Sequence, residues 1–171
     1  TLRLGGSYAP IRCEATPNRD TYAEGKPYGY FRKAPFAALE YWLEHAKRKD
    51  FIAFHMGSGN ALGGELVDTF TVQRKKYADV AAMIRQMTDL PMILAEVYPK
   101  TADDDNADVQ RVAAAKLVAH LSMVEAGYEQ AWLWGAVGQG EGNPPNGGLL
   151  KSYTTGEAQP WLEGYRIIHD H

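Results

Sequence analysis

Glu96 is the residue of this sequence best placed to do chemistry, because its carboxylate ends the apolar segment 90–95. A charged group in that position is costly to bury unless it has a partner or a use. If the segment is a strand, alternation predicts that Met92, Leu94 and Glu96 project to one side, with the carboxylate at the strand end. Glu96 is therefore a candidate catalytic residue; an ion pair with a Lys or Arg is the structural alternative.

Other candidate site residues follow the ends of other apolar segments. They could bind a sugar by hydrogen bonds or by stacking an aromatic ring on the sugar face, and they are Tyr8, His55, Tyr98 and Trp134. His55 could instead satisfy a backbone group in the core. Trp132 shares a side of the strand with Trp134, but only Trp134 is placed at the strand end, so we predict that Trp134 stacks on the sugar.

The sequence offers little to hold a metal ion or a cofactor. Cys13 is the only cysteine, and the run Asp103-Asp-Asp105 lacks the glycine and distal glutamate of a calcium loop. The glycines of Gly57-Ser-Gly59 do not have the spacing of a nucleotide-binding loop, and no serine lies in a nucleophile elbow. We therefore predict no metal and no cofactor.

The length and composition limit the number of domains and the classes of partner that we expect. The chain has 171 residues, of which 45% are hydrophobic, so we expect one domain. Its net charge is -3 without a basic stripe, so we expect no nucleic acid partner. No apolar stretch approaches the roughly 20 residues that span a bilayer, so we expect no membrane segment.

Four apolar segments with the length of buried parallel strands alternate with four segments of helical spacing. The predicted strands are 2–4, 51–54, 92–95 and 130–134, and the predicted helices are 35–47, 75–87, 108–125 and 158–168. Gly127 stands where a helix C-cap glycine belongs. This order predicts an α/β fold of repeated βα units with a parallel sheet.

Two architectures accommodate such units, an open doubly wound sheet and an arc of a barrel. A complete (β/α)8 barrel needs about 200 residues or more, so a barrel would be only half present in this chain. The chain begins without Met on an apolar segment, and we expect it to be a piece of a longer protein.

Four motifs in this order resemble the second half of clan A retaining glycoside hydrolases, especially β-xylosidases and α-L-iduronidases. They are Leu2-Arg-Leu-Gly-Gly6, Asp50-Phe-Ile-Ala-Phe-His55, Leu90-Pro-Met-Ile-Leu-Ala-Glu96 and Ala131-Trp-Leu-Trp134. The resemblance covers nearly the whole chain. The sequence departs from the family after Glu96, where Val97 and Tyr98 replace a Trp and an Asn, and after His55, where Met56-Gly57 replaces Tyr-Pro.

The resemblance implies that residues 1–171 form strands 5 to 8 of a (β/α)8 TIM barrel, with no second domain. It implies hydrolysis of an oligo- or polysaccharide by double displacement, with Glu96 as nucleophile and the acid/base outside this chain. His55 and Tyr98 would hydrogen-bond the nucleophile, and Trp134 would form the floor of the sugar site. The partners would be a carbohydrate and the remaining half of the barrel, in the same or another chain. The single cysteine leaves the compartment open, and the resemblance favours an extracellular or periplasmic location. We expect the isolated chain to be inactive, because the missing acid contributes about 10² to 10⁴ in rate.

Two other functions stay open. Glu96 could be a general base in another carbohydrate-active barrel enzyme, a lyase or an isomerase. The chain could also be a non-catalytic carbohydrate-binding module that stacks sugars on Tyr8, Trp134 and Trp161. The polar segment 139–148 is our candidate for a loop that shapes substrate choice.

Overall fold

The computed structural model describes residues 2–14, 16–25, 28–57, 69–98, 108–133, 148–152 and 154–170. In these ranges the helices are α1 Lys33–His45, α2 Thr69–Arg85, α3 Val109–Glu125 and α4 Pro160–Asp170. The strands are β1 Gly5–Ile11, β2 Cys13–Glu14, β3 Thr21–Gly25, β4 Gly29–Arg32, β5 Phe51–Gly57, β6 Met92–Tyr98 and β7 Tyr128–Leu133. The four predicted helices are confirmed, although α2 begins earlier than its spacing indicates.

The main sheet has four parallel strands in the order β1-β5-β6-β7, which is also their order along the chain. This confirms the predicted α/β class with a parallel sheet. A doubly wound sheet reverses its strand order at one point, and the described strands contain no such reversal. Because crossovers between parallel strands are almost always right-handed, an unreversed order directs successive helices to the same side of the sheet.

One face of the main sheet, here called the helix face, packs against the helices. Alternate residues of the two central strands share a buried cluster with residues of α1, α2 and α3; its members include Ile52, Phe54, Met56, Met92, Leu94, Val97, Phe36, Tyr77, Val80, Ile84, Ala119 and Met123. Burial of a large apolar side chain contributes about 1.5–3 kcal/mol relative to its exposure. The hydrophobic core of the described fold thus lies between the helix face and the helices.

The predicted strand at residues 2–4 is wrong, because β1 begins only at Gly5 and Leu2 is 75% exposed. The Gly5-Gly6 pair lies in the strand and is not a turn after it. A Cβ atom on Gly5 would lie 2.1 Å from the ring of Phe51, and one on Gly6 would lie 2.6 Å from Nε1 of Trp42. Glycine is required here because rings distant in sequence occupy the side-chain positions, a contact that local patterns do not reveal.

A small antiparallel sheet of order β2-β4-β3, which the sequence patterns do not predict, lies between β1 and α1 in the chain. Phe31 and Cys13 anchor it in the core. The hydroxyl of Tyr28 donates to Asp79 of α2, whose carboxylate also lies 2.8 Å from Nζ of Lys75. Burial raises the pKa of the Cys13 thiol to about 11, so this thiol is protonated at neutral pH.

Helix α4 packs against α3. Trp161 is 1% exposed and donates its indole N–H to the carbonyl oxygen of Gly148, at 2.8 Å. Nζ of Lys116 lies 4.9 Å from the centroid of the same ring, which adds a cation–π contact. Gly164 allows close approach, since a Cβ there would lie 2.7 Å from Leu117. Trp161 is therefore core, which argues against the stacking role considered for it.

We expect acid to weaken the contact between α3 and α4. The ring of His120 packs against that of Tyr165, with 4.5 Å between centroids. Burial lowers the pKa of His120 below its ordinary 6.5. The unfolded chain therefore takes up a proton at a higher pH than the folded chain does. The stability that neutral His120 provides is complete above 6.5 and is lost as the pH falls through the folded-state pKa.

Urea unfolding of the protein at about pH 7.5 and about pH 5 measures this dependence. We expect the His120→Phe variant to lose less stability on acidification than the unchanged protein. The matched control is His169→Gln, whose side chain is 89% exposed. Because burial also lowers the pKa of His55, part of the acid dependence should persist in His120→Phe; an undiminished loss in that variant would contradict the prediction.

Candidate functional site

The face of the main sheet opposite the helices, here called the site face, presents polar and aromatic side chains. On β5, Ile52, Phe54 and Met56 are buried, whereas His55 alternates with them and points to the site face. On β6, Glu96 pairs in register with His55. Since parallel strands end at the same edge of a sheet, these two side chains meet near the carboxyl ends of β5 and β6.

A bulge in β6 is what turns Glu96 to the site face. Phe54 pairs with Leu94, but the next residue of β5, His55, pairs with Glu96, so that Ala95 is an extra residue in β6. The prediction that Met92, Leu94 and Glu96 share one side is therefore wrong. Met92 and Leu94 are fully buried on the helix face, and the extra residue reverses the alternation after them.

Tyr8 lies on the outer strand β1 and reaches Glu96 across β5, by a similar irregularity. The register between β1 and β5 shifts between Ser7 and Ala9, and Tyr8 has a φ of 52°. A non-glycine residue in this left-handed region is uncommon, and such residues cluster at functional sites. The hydroxyl of Tyr8 donates a hydrogen bond to Oε2 of Glu96. Tyr8 thus contacts the carboxylate, and the direct sugar contact predicted for it stays a prediction.

The electrostatics of the cluster favour a neutral imidazole at His55 and a protonated phenol at Tyr8. Nδ1 of His55 lies 3.9 Å from Oε2 of Glu96, and the two side chains are 19% and 13% exposed. The pKa of His55 is lowered, mainly by burial; Glu96 opposes this change and Arg12 adds to it. The pKa of the Tyr8 phenol is raised, mainly because it donates to Glu96. Donation to an ionised carboxylate stabilises its charge.

Trp132 is a further residue of the site that the sequence prediction did not select. Ala131 pairs with Leu94 and Leu133 pairs with Val97, so Trp132 on β7 lies opposite the segment 95–96. Its side chain is 59% exposed, and its indole N–H donates to Oε1 of Gln130, at 3.2 Å. In the sequence, Trp132 and Trp134 are two residues apart, and this alternation is the signal that could have identified Trp132. The sequence does not show which residue of β7 lies opposite Glu96, because that register depends on the bulge in β6.

Three of the predicted features lie partly or wholly outside the described residues. The backbone of Tyr98 ends β6, but its side chain is not described. Trp134 and nearly all of the segment 139–148 also lie outside the described ranges, so their predicted roles stay predictions. The structure brings together Tyr8, His55 and Glu96, with Trp132 beside them.

The arrangement is that of a carboxylate that accepts a hydrogen bond from Tyr8 and lies 3.9 Å from His55, with an exposed indole on the neighbouring strand β7. Such a carboxylate can attack an electrophilic carbon, because the hydrogen bond favours its ionised form, and an exposed indole is a surface on which a substrate ring can stack. Among the described residues, no group of three or more His, Cys, Asp or Glu side chains could hold a metal ion. No helix in the described ranges is both long enough and apolar enough to span a bilayer.

Comparison of the chain with protein-family models, with curated proteins and with solved structures found no match.

Proposed function

We propose that this chain is part of a retaining glycoside hydrolase in which Glu96 is the nucleophile. The single observation that supports this most is the cluster on the site face, where Glu96 accepts a hydrogen bond from Tyr8 and lies beside His55, while Trp132 on the neighbouring strand β7 exposes its ring. It combines a carboxylate held by a hydrogen bond with an exposed indole on which a sugar ring can stack. The motif resemblance to clan A hydrolases supports the same assignment.

In this mechanism a carboxylate oxygen of Glu96 attacks the anomeric carbon while the glycosidic C–O bond breaks. The leaving oxygen takes a proton from a second carboxylic acid, about 5–5.5 Å from the first in retaining enzymes. Water then attacks the glycosyl ester and gives its proton to the second carboxylate, which restores both groups. We propose that this acid/base lies outside these 171 residues. Tyr8 and His55 hold and orient the nucleophile, and Trp132 supports the sugar.

We further propose that the main sheet is an arc of a (β/α)8 barrel. The unreversed strand order and the helices on one face support this. Arg3, before β1, forms a 3.1 Å ion pair with Glu129 of β7. Adjacent strands lie about 4.8 Å apart, so a pair that crosses β5 and β6 forms more easily if the outer strands curl toward each other. Parallel sheets are normally covered on both faces, and the remaining strands of a barrel would cover the site face.

Covalent labelling tests the assignment. We expect the natural protein, incubated with a panel of activated 2-fluoro glycosides, to gain the mass of one glycosyl group, and the labelled peptide to contain Glu96. Such reagents have leaving groups that need no proton, so labelling depends on the nucleophile and not on the missing acid. The measurement is an intact-mass spectrum followed by peptide mapping.

The outcomes separate the three functions. A label on Glu96 supports the retaining hydrolase and excludes a lyase or an isomerase that uses this carboxylate as a general base. A label on another carboxylate would refute the assignment of the nucleophile. Binding of sugars without any label, across the whole panel, would instead favour a carbohydrate-binding module.

A further inference from the structure

Gln130 is a polar residue of β7 to which the reaction described above assigns no part. Its side-chain oxygen Oε1 accepts a hydrogen bond from the indole N–H of Trp132, at 3.2 Å. We propose that Gln130 is a positioning residue, which fixes the plane of the Trp132 ring before a sugar binds and so strengthens binding without contacting the sugar. This inference rests on the proposed function, because it takes a sugar as the ligand of Trp132.

The course of β7 places both side chains on the site face. Tyr128 is 7% exposed and belongs to the core on the helix face. The pairing with β6 skips Glu129, and an extra residue reverses the alternation of the side chains that follow it. Gln130 and Trp132 therefore project to the site face, while Ala131 between them packs against the core. The two site-face side chains are neighbours, because residues two apart line the same side of a strand.

The hydrogen bond fixes how the indole ring is turned. An indole N–H is only a donor, so the amide of Gln130 must present its oxygen to the ring and not its nitrogen. Trp132 is 59% exposed, and packing therefore restrains it less than it restrains a buried ring. Without the hydrogen bond, the side chain would exchange among its staggered rotamers. The contact with Gln130 thus favours one orientation of the ring.

An orientation that is fixed in advance lowers the cost of binding. A ligand that must immobilise a side chain loses part of its binding free energy, whereas a ligand that meets an ordered side chain keeps it. For one side chain, the difference corresponds to about 2- to 10-fold in affinity. Because Trp132 lies opposite the segment 95–96, the plane of its ring also determines where a stacked sugar lies relative to Glu96.

Nuclear magnetic resonance of the indole N–H tests the first step. In the natural protein with isotope-labelled tryptophan, the indole signal of Trp132 is the one that Trp132→Phe removes. We expect Gln130→Met to move this proton signal to lower chemical shift, because the variant removes the acceptor and nearly keeps the length of the side chain. Gln130→Glu should restore the signal, since a carboxylate accepts from the same N–H. An unmoved signal in Gln130→Met would overturn the proposal.

Kinetics with the nitrophenyl β-glycosides of xylose, glucose and galactose tests the effect on binding. For the substrates that the natural protein hydrolyses, we expect Gln130→Met to raise KM by about 2- to 10-fold with kcat unchanged, as loss of uniform binding does. In the Trp132→Phe background the same change should have no further effect, because Phe has no N–H for Gln130 to hold. An equal effect in both backgrounds would overturn the proposal, since Gln130 would then act on the sugar directly.

The control is Gln86→Met, which makes the same chemical change at an exposed residue just after α2; this variant should keep both KM and the indole signal. An unchanged KM in Gln130→Met would overturn the inference and leave the hydrolase standing. Absence of turnover by the unchanged protein, with no label on Glu96, would overturn the proposed function and this inference together.

Discussion

Replacement of Glu96 by Gln is expected to abolish covalent labelling by activated 2-fluoro glycosides and to lower turnover of aryl glycosides by at least about 10³-fold. The amide has nearly the shape of the carboxylate and can still accept from Tyr8, so the fold should persist. What it lacks is the negative charge that attacks the anomeric carbon. Mass spectrometry and rate measurements check the two expectations.

A second variant tests whether Glu96 is the nucleophile or only stabilises the structure. In Glu96→Gly the space of the side chain is open, and azide can attack an activated glycoside from the same side. The C–N bond forms as the aryl oxide leaves with its electron pair, so the product is a glycosyl azide of inverted configuration. Recovery of rate with azide supports the nucleophile; a variant that stays folded but is not rescued argues against it.

The matched control for both variants is Glu44→Gln on α1, whose side chain is 78% exposed. It makes the same chemical change away from the site face. We expect unchanged labelling and unchanged turnover. Equal losses in Glu44→Gln and Glu96→Gln would show that the effect of the latter does not come from the reacting carboxylate.

Replacement of Trp161 by Ala is expected to lower the free energy of unfolding by about 3–5 kcal/mol, the usual cost of deleting a large buried ring. The variant loses the contacts of a side chain that is 1% exposed, its hydrogen bond to Gly148 and its cation–π contact with Lys116. Because these contacts attach α4 to its surroundings, amide protons of α4 should exchange faster than those of β5 and β6. Urea unfolding and hydrogen exchange measure the two effects.

Trp161→Phe measures how much the hydrogen bond of the indole N–H contributes to stability. This variant keeps a ring but leaves the carbonyl of Gly148 without its donor, so we expect the free energy of unfolding to fall by about 1–3 kcal/mol. The control is Ile167→Ala on the same helix, where the side chain is 59% exposed, with an expected change within about 0.5 kcal/mol. A loss in Trp161→Ala no larger than in this control would contradict the assignment of Trp161 as core.

Helices were the easiest features to predict, because apolar residues with a period of 3.6 form a pattern within one continuous segment of the sequence. Phe36 and Ile84, for example, mark the buried faces of α1 and α2. The meeting of His55 with Glu96 was also predictable in outline, since both end apolar strands and parallel strands share an edge. The Gly127 cap was likewise predictable, and its φ of 79° agrees with it.

What escaped prediction depends on contacts between distant segments. The start of β1 at Gly5 depends on Phe51 and Trp42. The hydrogen bond of Tyr8 to Glu96 depends on a register shift in β1 and another in β6. An apolar side chain in a helix does not by itself mark the core, since Val124 on α3 is 66% exposed.

The extra residue in β6 makes the length of this strand as important as its composition. If Ala95 stayed in the strand without the bulge, alternation would turn the carboxylate of Glu96 toward the side of Met92 and Leu94, which are 0% exposed. An unpaired charge there is strongly unfavourable. Deletion of Ala95 would instead give a regular strand in which Leu94 and Glu96 keep their partners Phe54 and His55. In any set of descendants of this chain, a gap at this point should therefore be compatible with retention of the acidic residue.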